Sequence, residues 1–273
     1  MNAFIDKLTK AQSKNDSLVC VGLDSDFEKI PRHLMSHQDP VFEFNKAVID
    51  ATKNKCCAYK PNLAFYEAMG PRGMETLKKT IMHIPADIPI IIDAKRGDID
   101  NTAKKYAEAI FDDLEGDAVT LSPYMGYDSI APFLEYEGAF VFVLCLTSNE
   151  GAKDFQYLHC EGKPLYMHVV DKVNSWNRNE NFGLVVGASK PEQLMEIRLK
   201  APKLPFLVPG VGAQGGDLHK AVEYGTAGDG LVIINISRGV IFASNKDDFA
   251  AAAADSLDRF NVRINQVRAG AVK

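Results

Sequence analysis

Eight short apolar runs, each followed by a stretch of different periodicity, constrain this chain more than any other feature. They are Leu18–Asp24, Cys57–Asn62, Ile88–Ile92, Ala118–Pro123, Ala139–Leu146, Phe182–Ala188, Phe206–Val211 and Gly230–Ser237. Runs of this length, rich in Val and Ile and apolar at consecutive positions, read as strands covered on both faces in a parallel sheet. Most of the stretches between them read as helices: Phe42–Thr52, Thr76–Ile84, Ser129–Tyr136, Leu165–Trp176, Pro191–Leu199 and Leu218–Tyr224, with a last helix from about Asp247 to Val267. The clearest follows the third run, where Ala103, Tyr106, Ala107, Ile110, Phe111 and Leu114 fall on one helical stripe. Alternating strands and helices argue a parallel sheet. Eight such units in 273 residues, with no composition break, argue one α/β domain over residues 1–273, a closed (β/α)8 TIM barrel. Phe4, Ile5, Leu8 and Ala11 form one more stripe ahead of the first strand, an extra N-terminal helix expected to cap the bottom of the barrel.

Charge and cysteine usage then exclude several classes. A net charge of −5 lacks the basic footprint of a nucleic-acid binder, so an anionic substrate needs a local cluster of positive charge. The longest apolar run, Ala139–Leu146, is too short to span a membrane as a helix. The N-terminus is polar and does not read as a signal peptide. Five cysteines, odd in number and without C-x-x-C spacing, point to a reduced, cytoplasmic compartment. His33 and His37 are four apart, but no Glu follows His33 and no further ligand sits at metal spacing, so both read as surface residues.

The chemistry gathers at strand ends. In IPIIIDAKRGDIDNT, residues 88–102, Asp93 and Lys95 lie two apart at the end of the third run and so point to one face. Gly97 lets the chain turn, and Asp98 or Asp100 is placed to cap the next helix. Asp24 closes the first run, and Lys60, followed by Pro61, closes the second. Active sites of α/β proteins collect at such ends. Thr147–Lys163 after the fifth run is long enough to be a lid or binding loop.

Gly210, Gly212 and Gly215 in PGVGAQGGD fit G-x-G-x-x-G, the dinucleotide fingerprint. The motif follows the seventh strand, however, and Asp229 precedes the eighth strand instead of closing it. Arg238 stands just after the eighth. Loops seven and eight of these barrels commonly hold a phosphate. Glycine N–H groups, the Gln214 amide and a two-pronged Arg238 suit that ligand better than a dinucleotide.

The segment DAKRGDI (residues 93–99), taken with Lys60, Asp24, the PGVGAQGGD turn, YKPN (59–62) and PYMG (123–126), resembles the orotidine 5'-phosphate decarboxylase family over nearly the whole chain. It departs from the family pattern at Asp100, where a small residue is usual. The resemblance implies cofactor-free and metal-free decarboxylation of orotidine 5'-monophosphate in pyrimidine biosynthesis. It implies that Asp24 binds a ribose hydroxyl and that Lys60 bridges the ribose and the aspartates. Asp93 faces the scissile carboxylate and Lys95 gives the proton to ring carbon C6. Asp98, Ile99 and Thr102 reach into the partner's site in a homodimer. Ser148 meets the pyrimidine edge, and Val211, Gln214 and Arg238 take the phosphate. A metal-dependent sugar-phosphate decarboxylase or aldolase with the same D-x-K-x-x-D turn is the nearest alternative. Those enzymes carry a Glu after strand two, where this chain has Lys60. A catalytically silent phosphate sensor on the same barrel fits less well, because Lys60, Asp93, Lys95 and Asp98 are all present.

Overall fold

Period-two alternation sorts the side chains of every strand into two cores. The computed structural model describes residues 2–211 and 216–271. Its barrel strands are β1 (Val19–Leu23), β2 (Ala58–Pro61), β3 (Ile91–Arg96), β4 (Ala118–Leu121), β5 (Phe140–Leu146), β6 (Phe182–Val186), β7 (Phe206–Val208) and β8 (Val232–Ile236). All are parallel, in the spatial order β2-β1-β8-β7-β6-β5-β4-β3. Bridges Tyr59 to Ile90 and Asn62 to Asp93 join β2 to β3 and close the ring. Cys20, Ala58, Ile91, Ala118, Phe140, Phe142, Val185, Leu207 and Ile233 fill the interior. Their neighbours in sequence, such as Val19, Val21, Val141, Val143, Val232 and Ile234, face the helices. Consecutive apolar residues are therefore required, because both faces are buried.

The longer helices are α1 (Ala3–Asn15), α2 (Pro40–Thr52), α3 (Pro71–His83), α4 (Asp100–Glu108), α5 (Leu165–Trp176), α6 (Pro191–Lys200), α7 (Leu218–Gly225) and α8 (Phe249–Ala271). As expected, α1 plugs the bottom. Asn2 caps it by accepting from the Phe4 N–H. Phe4 stacks on Phe140 at 4.7 Å between ring centroids and, with Leu8, completes the interior core. Lys7 ties the helix to Asp117, just before β4, at 2.7 Å.

Several local expectations need correction. The third strand starts at Ile91 and runs on through the charged residues to Arg96, rather than covering 88–92. Residues 129–136 do not form an α-helix; they make two 3-10 turns, Tyr127–Ser129 and Ala131–Glu135. α3 begins at Pro71, ahead of the expected Thr76. Beyond α4 the chain loosens into a π turn, Ala109–Asp113, which still buries Ile110. Loop 147–163 holds a short helix, Ala152–Phe155, and a hairpin pairing His159–Cys160 with Lys163–Pro164. His33 and His37 lie on an exposed turn, His33 facing Asp247 at 2.9 Å. No helix of the described residues is long and apolar enough to cross a membrane.

Candidate active site

The inward parity that places Ala58, Ile91, Ala118 and Ile233 in the core continues upward to Lys60, Asp93, Thr120 and Asn235. Near the carboxyl ends of the strands the interior thus changes from apolar to polar. These four residues line a cavity of about 410 Å3 with Asp24, Asn62, Lys95, Ser148, Val211, Ser237 and Arg238, and Leu144, Val185 and Leu207 supply apolar wall.

Asp93 is the hub. Its Oδ2 accepts from Lys60 Nζ at 2.6 Å, and its Oδ1 accepts from Lys95 Nζ at 2.5 Å and from the Thr120 hydroxyl at 2.9 Å. Asp93 is only 7% exposed and Lys60 only 3%. Burial by itself would raise the Asp93 pKa, but Lys60 and Lys95 outweigh it and hold the carboxyl well below its usual range. Burial would likewise lower the Lys60 pKa, but Asp93 and Asp24 outweigh it and keep the ammonium charged. Buried charges persist only when paired in this way. The Lys95 side chain is half exposed toward the cavity.

Lys95 departs from a regular strand. Its φ of +48° lies in the left-handed region, which costs a non-glycine residue roughly 1–2 kcal/mol. The β3–β4 register pairs Ile92 with Val119 and Arg96 with Leu121, so three residues of β3 oppose Thr120 alone. Bulges re-aim side chains beside active sites. The following Arg96 turns away from the cavity, pairs with Glu67 and lies 5.0 Å over the Tyr106 ring.

The other expected residues divide into two groups. Asp24, Ser148, Val211 and Arg238 line the same cavity as the Lys60–Asp93–Lys95 array. Asp24 Oδ1 and Ser148 Oγ are buried with no hydrogen-bond partner among the described residues. Ser148 packs against Gly187, where an added Cβ would stand 2.3 Å from its hydroxyl oxygen. Gln214 lies outside the described residues. Asp98, Ile99 and Thr102 do not line the cavity of their own chain. Ile99 is 43% exposed, and among the described residues Asp98 accepts only from the adjacent Ile99 N–H, at 2.8 Å. Neither Asp98 nor Asp100 caps α4: Ile99 occupies the cap position without a side-chain bond. Asp100 takes a φ of +49°.

Sequence reading passed over Thr120, Asn235, Asn62 and Ser237. Asn235 Oδ1 and Ser237 Oγ are buried and without partners among the described residues. Extending the inward period of two upward from Ile233 reaches both; Thr120 carries no such flag, because Thr is an ordinary strand residue.

Fold and site together define a (β/α)8-barrel enzyme with a charged array built on its strand ends and a third cation, the exposed Arg238, lining the same cavity. The family model described as "Orotidine 5'-phosphate decarboxylase / HUMPS family" matches residues 17–254, and the chain belongs to that family. The chain is 50% identical over 270 residues to an orotidine 5'-phosphate decarboxylase of Dehalococcoides mccartyi (strain CBDB1), covering 97% of this chain and 98% of that one. It is 51% identical over 250 residues to the orotidine 5'-phosphate decarboxylase of Christiangramia forsetii, covering 90% and 92%. Among solved structures it resembles the Leishmania donovani OMP decarboxylase, with a TM-score of 0.82, 39% identity, and coverage of 96% of this chain and 100% of that one.

Proposed function

We propose that this protein converts orotidine 5'-monophosphate (OMP) to uridine 5'-monophosphate (UMP) and CO2, with Lys95 as the proton donor to C6 and without metal or organic cofactor. The observation that carries the reading is the buried Asp93 carboxylate holding two lysines, one of which, Lys95, faces the cavity. Near-full-length relatives at about half identity named orotidine 5'-phosphate decarboxylase support the substrate.

In the reaction the C6–carboxylate bond breaks, CO2 leaves, and the bonding electron pair stays on C6. The ring delocalises that pair poorly, so a fixed cation must stand where the charge develops. Lys95 is that cation; it then gives its proton to C6 and regains one from solvent. A unit charge pair at ~4 Å and an effective dielectric of ~20 is worth about 4 kcal/mol before desolvation. Asp93 and Lys60 set Lys95 in place before the substrate arrives, so little reorganisation is needed during the reaction.

The rest of the substrate is assigned along the cavity. Asp24 and Lys60 take the ribose, Ser148 the pyrimidine edge, and Arg238, Val211 and Gln214 the phosphate. Arg238 grips phosphate oxygens far from C6, and that remote binding energy lowers the barrier at the reacting carbon. Asp98, Ile99 and Thr102, which do not line the cavity of their own chain, complete the partner's site in a cytoplasmic homodimer.

The test is direct. Purified protein is mixed with OMP in EDTA and the loss of OMP absorbance is followed. Full activity in EDTA is expected. Activity that vanishes with EDTA and returns with Mg2+ would overturn the metal-free reading and favour the metal-dependent alternative.

A further inference from the structure

We propose that Thr120 is a positioning residue for the proton donor, its single hydroxyl fixing both the backbone and the carboxylate partner of Lys95. The inference rests on the decarboxylase reading and goes beyond the residues that reading assigns.

Thr120 points inward from β4 and is 1% exposed. Its hydroxyl donates to Asp93 Oδ1 at 2.9 Å and accepts from the Lys95 N–H at 3.1 Å. A hydroxyl has one donor hydrogen and two acceptor lone pairs, so both bonds form at once. The same Asp93 oxygen takes Lys95 Nζ at 2.5 Å. Asp93 Oδ1, Thr120 Oγ1 and the Lys95 main chain and side chain therefore form one closed hydrogen-bonded ring.

The ring sits where the sheet cannot fix the geometry by itself. Three residues of β3 stand against Thr120 alone, so the Lys95 N–H is bound by this side-chain oxygen at a break in the ladder. Lys95 also holds a φ of +48°, a conformation that persists only where its surroundings enforce it. The hydroxyl bond to the Lys95 N–H is a local restraint of that kind. The fold itself does not call for a hydroxyl here. The neighbouring β4 residues Ala118, Val119 and Leu121 are apolar, and Val has the same branched shape as Thr. What the oxygen adds is the aim of the ammonium into the cavity, and Asp93 is held to that aim by the same group.

The experiment compares wild type with Thr120→Val, Thr120→Ala and Thr120→Ser. Measured are kcat and KM for OMP, the Kd for UMP, and the melting temperature. Val keeps the shape without the hydroxyl. Ser and Ala differ only in that oxygen, so this pair decides the matter if the Val variant does not fold. A misplacement of about 1 Å in a reacting group costs about 10²-fold in rate. Val and Ala should therefore lose about 10²-fold in kcat, with KM, the UMP Kd and the melting temperature little changed. Ser should recover to within about threefold of wild type, which a packing role would not produce. Val and Ala variants as fast as wild type, a Ser variant as slow as Ala, or a loss confined to KM would each overturn the assignment. A wild type inactive on OMP would overturn the decarboxylase reading and this inference together; an active wild type with an equally active Thr120→Val would overturn this inference alone.

Discussion

Replacing Asp93 by Asn tests whether the array is held together by charge. The substitution keeps size and shape but removes the negative charge from between two lysines 2.6 and 2.5 Å away. The carboxylate accepts from Lys60, Lys95 and Thr120. An amide offers one oxygen and one NH2 group, so one side must confront donors with a donor. Lys60 is buried and cannot turn away, whereas Lys95 is half exposed and can. The amide oxygen therefore goes to Lys60, which keeps a neutral hydrogen bond and loses its adjacent countercharge. Removing one partner of a buried pair costs about 3–5 kcal/mol. Neutralising Lys60 at pH 7 instead would cost about 4.6 kcal/mol, from ~3.4 pH units at 1.36 kcal/mol each, and this caps the loss. With the retained hydrogen bond, and with Asp24 still opposing the effect of burial on Lys60, the expected loss is about 3 kcal/mol. At about 2–4 °C per kcal/mol that is about 6–12 °C in Tm. The pH dependence follows in sign. The folded pKa of Asp93 is depressed, so its contribution is present above the unfolded value of ~3.9 and is lost as pH falls through the folded one. The folded pKa of Lys60 is raised, so its contribution holds below ~10.4 and is lost above. Between about pH 5 and 9 the pair thus adds no slope to wild-type stability. In Asp93→Asn, burial acts on Lys60 with less opposition, its pKa falls below the unfolded value, and stability should rise with pH across that window. Urea unfolding at pH 6, 7.5 and 9 checks both points. A variant as stable as wild type, or one whose deficit widens with pH, would refute the charge argument.

Two further outcomes concern the substrate and the assembly. Arg238→Ala should lose on the order of 2–4 kcal/mol, about 30- to 10³-fold, mainly in kcat/KM for OMP. The same variant should process the phosphate-free nucleoside about as well as wild type, and a large further loss on that truncated substrate would place the phosphate elsewhere. Lys95→Ala and Asp98→Ala homodimers should each be nearly inactive, yet unfolding and refolding them together should restore roughly a quarter of wild-type activity. About half of the dimers are then mixed, and each mixed dimer holds one site with both residues intact; no recovery would mean that Asp98 serves its own chain.

Much of the fold was legible because a buried parallel strand needs consecutive apolar residues, and eight such runs leave few architectures. Lys60, Asp93 and Lys95 were legible as a cluster because strand parity turns them inward. Features set by a neighbouring strand were not. The left-handed Lys95 and the role of Thr120 both depend on the three-against-one register of β3 and β4, which neither segment encodes alone. The hairpin inside loop 147–163 was hidden for a local reason. Its two-residue turn, Glu161–Gly162, has positive φ at both positions, as a type I′ turn requires. Glu at the first position is a weak signal where Asn or Asp would be a strong one. The capping role foreseen for Asp98 or Asp100 failed because Asp100, in a left-handed conformation, is itself the first residue of α4, leaving Ile99 at the cap. Arg198 gave no hint of being buried: it is 1% exposed, lies 3.5 Å over the Phe206 ring, and donates to the Ala201, Leu204 and Leu231 carbonyls.

The central claim is that the Lys95 ammonium stabilises and then quenches the carbanion at C6. It is tested most directly by purifying Lys95→Ala, confirming by circular dichroism and Tm that it is folded, and measuring CO2 and UMP formed from OMP alongside the Kd for UMP. The lysine side chain is half exposed at a strand end, so the fold should survive and UMP should still bind. Turnover should fall to background. A folded Lys95→Ala protein that still releases CO2 and forms UMP at a rate near wild type would contradict the account.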